Sequence, residues 1–118
     1  MPRLNVEAVP DAGPPHAQAG NRKPAFIIAS ITDDKGAPVT GLPASSFKVH
    51  APIVAAGGAE IVISTVFEPH GGTTLPGYYR VEVVPFGTFK WLKGTYIFAL
   101  AVAKGTNKGQ TIMTATIP

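Results

Sequence analysis

Tyr78-Tyr79-Arg80-Val81-Glu82-Val83-Val84 is the stretch that decides the fold. Tyr79, Val81 and Val83 alternate with Tyr78, Arg80 and Glu82, and a period of two marks a β-strand with one face in a core and the other in water. Upstream, Ile61-Val62-Ile63-Ser64-Thr65-Val66-Phe67 is a second apolar run rich in β-branched residues. Downstream, Thr95 to Ala103 and Gln110 to Ile117 are two more. Further out, Phe26-Ile27-Ile28-Ala29-Ser30-Ile31 is apolar on both faces, as a central strand is, and ends at the turn signal Asp33-Asp34-Lys35-Gly36. A strand around Phe47 to Val54 follows it. Residues 3–9 alternate Leu4, Val6 and Ala8 with Arg3, Asn5 and Glu7, which predicts a short first strand. Gly57-Gly58 suits a hairpin turn, residues 68–77 a loop, and Lys104 to Gly109 a connection between the last two strands. No segment carries a helical period. Short strands punctuated by turn signals, with no helices, predict an all-β sandwich or small barrel of about seven strands.

Composition agrees with this reading and removes much chemistry. A chain of 118 residues with 45% hydrophobic and only 14% charged residues is expected to form one core, and its 13 Gly and 12 Pro favour many turns. There is no cysteine, so disulfides, thiolate nucleophiles, iron–sulfur clusters and Cys-ligated zinc are excluded. The start, Met1-Pro2-Arg3-Leu4, has no charged segment followed by an apolar one, and no apolar run reaches the roughly 18 residues of a membrane span. The expectation is a soluble protein without membrane insertion, in the cytoplasm or a virion rather than secreted, with the compartment otherwise open.

Residues 10–24 hold four Pro and two Gly with little that is large and apolar. They read as a linker, so the chain divides into an N-terminal arm, 1–24, and a compact part, 25–118.

Two stretches carry a resemblance. Lys93-Gly94-Thr95-Tyr96-Ile97-Phe98-Ala99-Leu100-Ala101-Val102, followed by Gly109-Gln110-Thr111 and Thr114-Ala115-Thr116-Ile117, resembles the last two strands of immunoglobulin-like domains. Asp33-Asp34-Lys35-Gly36-Ala37-Pro38-Val39-Thr40-Gly41-Leu42 is similar to the strand-turn opening of bacterial Ig-like modules. The resemblance implies an Ig-like antiparallel sandwich in which Tyr96 is the corner tyrosine, its ring in the core and its hydroxyl bonded to backbone upstream. Phe98 stands where antibody domains have a cysteine, and Trp91 precedes the tyrosine strand rather than lying on a central one. Such folds host many functions, with binding modules and tail, capsid-decoration or filament proteins of bacterial or phage origin among them.

No residue set here has the spacing of a catalytic site. His16, His50 and His70 lack the local spacing of metal ligands and read as surface residues. Ser30, Ser45, Ser46 and Ser64 sit in no nucleophile elbow. Asp33 and Asp34 are adjacent carboxylates that point apart on extended chain, so a turn-capping role is expected, with calcium as the alternative. Internal Lys–Asn isopeptide bonds, which occur in some bacterial Ig-like modules, need a buried Lys, an Asn or Asp partner and a carboxylic acid, and Lys48 and Glu82 are the candidate members here. The net charge of +3 invites a nucleic-acid reading. Lys90 and Lys93 precede the Tyr96 strand, however, while Lys104 and Lys108 follow it, so the four lysines fall at opposite poles and no nucleic-acid partner is expected.

Two contact surfaces are predicted instead. The aromatic group Phe86, Phe89 and Trp91, with Tyr78 and Tyr79 nearby in sequence, flanks the Pro85 to Trp91 loop and suits a sugar or peptide platform, core packing under that loop being the plainer account. The strand from Tyr96 to Ala103 is apolar on its second face too, through Ile97, Ala99 and Ala101, so something should cover that face. The first strand, with Leu4 and Val6, is the expected cover, its own or a neighbour's, since a 15-residue linker extends to roughly 50 Å. The expectation is therefore a non-enzymatic module without cofactors that works through protein contacts, self-association first, as a subunit of a homo-oligomeric or larger assembly. The alternative is a secreted or surface module that binds carbohydrate.

Overall fold

Each alternating segment forms a strand, because a strand buries one row of side chains while its backbone groups pair with a neighbour. The computed structural model describes residues 3–10, 17–53, 61–68 and 75–117. In chain order the described strands are β1 (Asn5–Pro10), β2 (Ala25–Thr32), β3 (Phe47–Ile53), β4 (Ile61–Phe67), β5 (Tyr78–Pro85), β6 (Gly94–Lys104) and β7 (Asn107–Ile117), with a 3-10 turn at Ala44–Ser46. They form two antiparallel sheets, ordered β1-β2-β5-β4 and β3-β6-β7. The chain is thus the seven-stranded two-sheet sandwich its alternation predicts, and β2 is a central strand. The Gly57-Gly58 turn and Val54 lie outside the described residues.

The core lies between the sheets. Ile27, Ala29 and Ile31 of β2, Tyr79, Val81 and Val83 of β5, and Ile61 of β4 face Phe47 of β3, Tyr96, Phe98, Leu100 and Val102 of β6, and Met113 and Ile117 of β7. The Tyr96 ring is buried and its hydroxyl accepts the Leu92 N–H at 3.1 Å. A second buried tyrosine does similar work at the other end. The Tyr79 hydroxyl donates to Val39 O at 2.7 Å and accepts the Leu42 N–H at 3.2 Å, which fastens the 39–42 segment over the core.

Two details differ from expectation. The β6–β7 connection is the two-residue loop Gly105-Thr106, because Lys104 pairs with Asn107 and the ladder runs unbroken through the polar residues read as a loop. In β4 the register shifts between Ile63 and Thr65, so Ser64 is the extra residue of a bulge and its hydroxyl donates to Glu82 O at 3.3 Å. This shift lets Ile61, Ile63 and Val66 all pack on the core although their spacing is not strictly two.

Of the two places open to the first strand, its own domain or a neighbour's, it takes the first here: β1 pairs with β2 of its own chain from Asn5↔Thr32 to Pro10↔Ile27, and Leu4 is 4% exposed. The Leu4 N–H also reaches across to Lys108 O of β7 at 3.0 Å, so β1 closes one side of the sandwich. Gly109 permits this approach, since a Cβ there would overlap the Leu4 carbonyl. Residues 20–23 bind the segment around Trp91: Gly20 N–H donates to Trp91 O, Trp91 N–H to Asn21 O and Trp91 Nε1 to Lys23 O at 2.7 Å. The contacts of the described part of the arm are those of an integral strand and a clamp.

Candidate interaction surfaces

Outward-facing rows of an antiparallel sheet are ordinarily polar. On the four-stranded sheet part of that face is apolar, while the row of Tyr78, Ser30 and Glu7 is polar. The register places Phe67, Arg80, Ile28 and Val9 side by side across β4, β5, β2 and β1, with Thr65, Glu82 and Phe26 in the next row and Val62 beside Val84 beyond it. Residues directly opposed in this way share a face. Val9, Phe67 and Tyr78 are 59%, 49% and 42% exposed. The face of β5 expected to be wet is the exposed one, and on it Arg80 and Glu82 are half-buried among apolar neighbours.

Arg80 lies flat in that field. Its guanidinium carbon is 4.9 Å from the centre of the Phe26 ring and 5.6 Å from that of Phe67, and Nη2 is 3.5 Å from a Glu82 carboxylate oxygen. Stacking on two rings holds the side chain against the sheet. Arg80 Nε is buried and has no hydrogen-bond partner among the described residues.

The loop after β5 forms a separate surface. Phe86 and Phe89 are 58% and 55% exposed, and Arg22 fixes the backbone beneath them by donating from Nε to Phe89 O at 2.9 Å and from Nη2 to Pro85 O at 2.8 Å. Trp91 does not join them. It is fully buried, edge-on to Tyr96 at 5.1 Å, because its large ring fills the core end and its indole N–H has a backbone acceptor. Tyr78 opens β5 and Phe86 follows its last residue, about 25 Å away along the strand. The aromatic residues expected as one platform thus divide into a loop pair, a sheet-face residue and, with Tyr79, two core residues.

No family model, curated protein or solved structure matches this chain.

The outer face of the three-stranded sheet differs from the reading of β6 as an uncovered apolar strand. Ile97, Ala99, Ala101 and Ala103 are half-buried, and β1 does not cover them, because it belongs to the opposite sheet. Ala99 lies between His50 and Ile112, and Ala101 between Lys48 and Gln110, so the small residues of the middle strand are flanked by longer ones. Leu4 and Val6 are likewise withdrawn from any contact surface, Leu4 in the core and Val6 packed against it. What this face does expose is Ile112, at 69%.

Charged groups are dispersed. Asp33 serves its turn: Oδ1 accepts the Lys35 and Ala37 N–H groups at 2.8 and 2.9 Å, and these bonds, Ala37 first, hold its carboxyl below the ordinary range. Lys48 is exposed on one sheet while Glu82 sits on the other, so they cannot serve together as the lysine and the acid of an isopeptide site. Lys93 and Lys104 bracket β6, about 35 Å apart. Among the described residues no three His, Asp or Glu side chains gather as metal ligands, and His16 and His70 lie outside them. No described helix is long and apolar enough to cross a membrane.

Proposed function

We propose that this protein is a non-enzymatic protein-contact module, a subunit of a homo-oligomeric or larger assembly. The observation that carries the reading is the apolar outer face of the four-stranded sheet, where Val9, Ile28 and Phe67 form one row with the flattened Arg80. Exposed apolar patches that span several strands mark protein contacts on soluble domains. An arginine held by aromatic stacking is also a side chain that contact surfaces favour. The Ig-like reading is part of the same proposal. Its supports are the Tyr96–Leu92 hydrogen bond and the strand order β1-β2-β5-β4 with β3-β6-β7, the order of seven-stranded constant-type immunoglobulin sandwiches.

Light scattering of the full chain over a concentration series tests the reading. Masses that are multiples of 12.3 kDa are expected, falling when Val9→Lys or Phe67→Ser is introduced. A chain that stays at 12.3 kDa at every concentration sinks the homo-oligomeric form of it.

The second reading, carbohydrate binding, is favoured only by the Phe86 and Phe89 pair on its clamped loop. Because Trp91 is buried, its fluorescence is no reporter for that loop. Glycan titration followed by the ring resonances of Phe86 and Phe89 is the suitable measurement, and unshifted resonances exclude the reading.

A further inference from the structure

Within the dispersed charge one group converges, on the outer face of the three-stranded sheet. The register sets Lys48, Ala101 and Gln110 in one row across β3, β6 and β7, and Ala103 beside Lys108 in the next. Paired residues share a face, and this is the outer one, because the flanking Phe47, Leu100 and Val102 are in the core. Alanine is short where lysine and glutamine are long, so β6 is the floor of a trough and β3 and β7 are its walls. Ser45 and Ser46 of the 3-10 turn close it at the end where β3 begins. The cavity so formed holds about 440 Å³, a size in the range of small-ligand sites.

Its charge has one sign. Lys48 and Lys108 stand on opposite walls, about 12 Å apart at Cα across two strand spacings and one row, and no carboxylate lines the cavity. Their stems are long enough to bring both ammonium groups over the alanine floor. Arg3, joined to Lys108 by a parallel bridge, adds a third cation beside that wall. Lys108 also borders a second groove, between β1 and β7, in which Glu7 stands, but among the described residues no ion pair joins the two. An anion placed over the floor is therefore attracted from both sides. The hydroxyls of Ser45 and Ser46 and the Gln110 amide supply neutral donors and acceptors around it.

We propose that this trough binds a sugar-sized ligand bearing one phosphate or sulfate ester, with the oxyanion between Lys48 and Lys108 and the ligand's hydroxyls against Ser45, Ser46 and Gln110. Lysine meets such groups as a point charge, and the small floor leaves room for a ring between the walls. The site lies on the sheet opposite the row of Val9, Ile28 and Phe67, so it goes beyond the contact reading and does not depend on it.

Titration of the full chain at low salt with glucose 6-phosphate, glucose 6-sulfate, glucose and inorganic phosphate, followed by amide resonances, tests the site. Saturable shifts at Ala101, Ala103 and Gln110 are expected with at least one ester, and the tighter of the two names the group. Lys48→Gln and Lys108→Gln are each expected to weaken that binding about tenfold or more, the loss of a charged hydrogen bond. Both residues are exposed, so the thermal midpoint is kept. Lys93→Gln, beyond the far end of β6, is expected to leave binding unchanged. Glucose that shifts the same resonances as strongly, inorganic phosphate that binds as tightly as the esters, or a Lys93→Gln chain that loses as much as the other two overturns the site, as does the absence of any shift at these amides. Ester binding by a chain that light scattering finds monomeric supports the site while removing the homo-oligomeric reading.

Discussion

At the scale of the residue, the side chains that matter most are polar tips placed in the core. Tyr79 is 1% exposed, and its hydroxyl both donates to Val39 O and accepts from the Leu42 N–H. Tyr79→Phe leaves those two backbone groups without that partner, and a loss of about 1–3 kcal/mol in denaturant unfolding is expected. Burial, with Glu68 nearby, raises its ionisation above the ordinary 10.0. The neutral form is thus preferred when folded, so the contribution is present below the ordinary value and lost as pH rises through the raised one; Tyr79→Phe should unfold less steeply in strong base. Asp33 has the opposite sign. Its carboxyl is held below the ordinary 3.8 by the Ala37 and Lys35 N–H groups, so its contribution is full above that value and disappears as pH falls through the lowered one. Asp33→Ala should flatten the acid limb of the stability curve below pH 3.8, measured by thermal unfolding, whereas an unchanged limb would show that the turn contributes nothing. The tip of Tyr96 was legible from its strand, because the resemblance located it. That of Tyr79 was not, since its acceptor lies 40 residues away in sequence.

At the scale of the element, alternation foretold the strands well and their ends poorly. β5 and the middle of β6 follow the period of two that a half-buried strand requires. The Ser64 bulge breaks that period in β4, and the polar Asn107-Lys108 pair concealed the true start of β7. Both are decided by pairing with a neighbour, which no local pattern records. β1 is the clearest case, for its alternation predicted a strand, but its pairing with β2 and its close approach to β7 at Gly109 are tertiary. Gly109→Ala puts a Cβ against the Leu4 carbonyl, which should push β1 off β7. Faster hydrogen exchange at the Leu4 amide is the expected sign, with a loss on the order of 1–3 kcal/mol from overpacking. An amide that stays protected would mean that β1 is held by β2 alone.

At the scale of the whole molecule, the contacts that organise function are those between sheets and across faces. Val9→Lys and Phe67→Ser act on side chains roughly half exposed, so they should shift folding stability by no more than about 0.5 kcal/mol while lowering the assembled mass. Stability that fell in step with the mass would make the face a packing surface rather than a contact site. The sequence by itself determined that this chain is all-β with about seven short strands, because hydrophobic period, turn residues and composition are local properties that act on every segment alike. It also determined that thiol chemistry is absent. Only the tertiary structure decided which apolar residues are free. Trp91 and Leu4 went to the core, Phe86 and Phe89 to a clamped loop, and Val9, Ile28 and Phe67 to one row, because strand register, set by backbone pairing between distant segments, determines which side chains share a face.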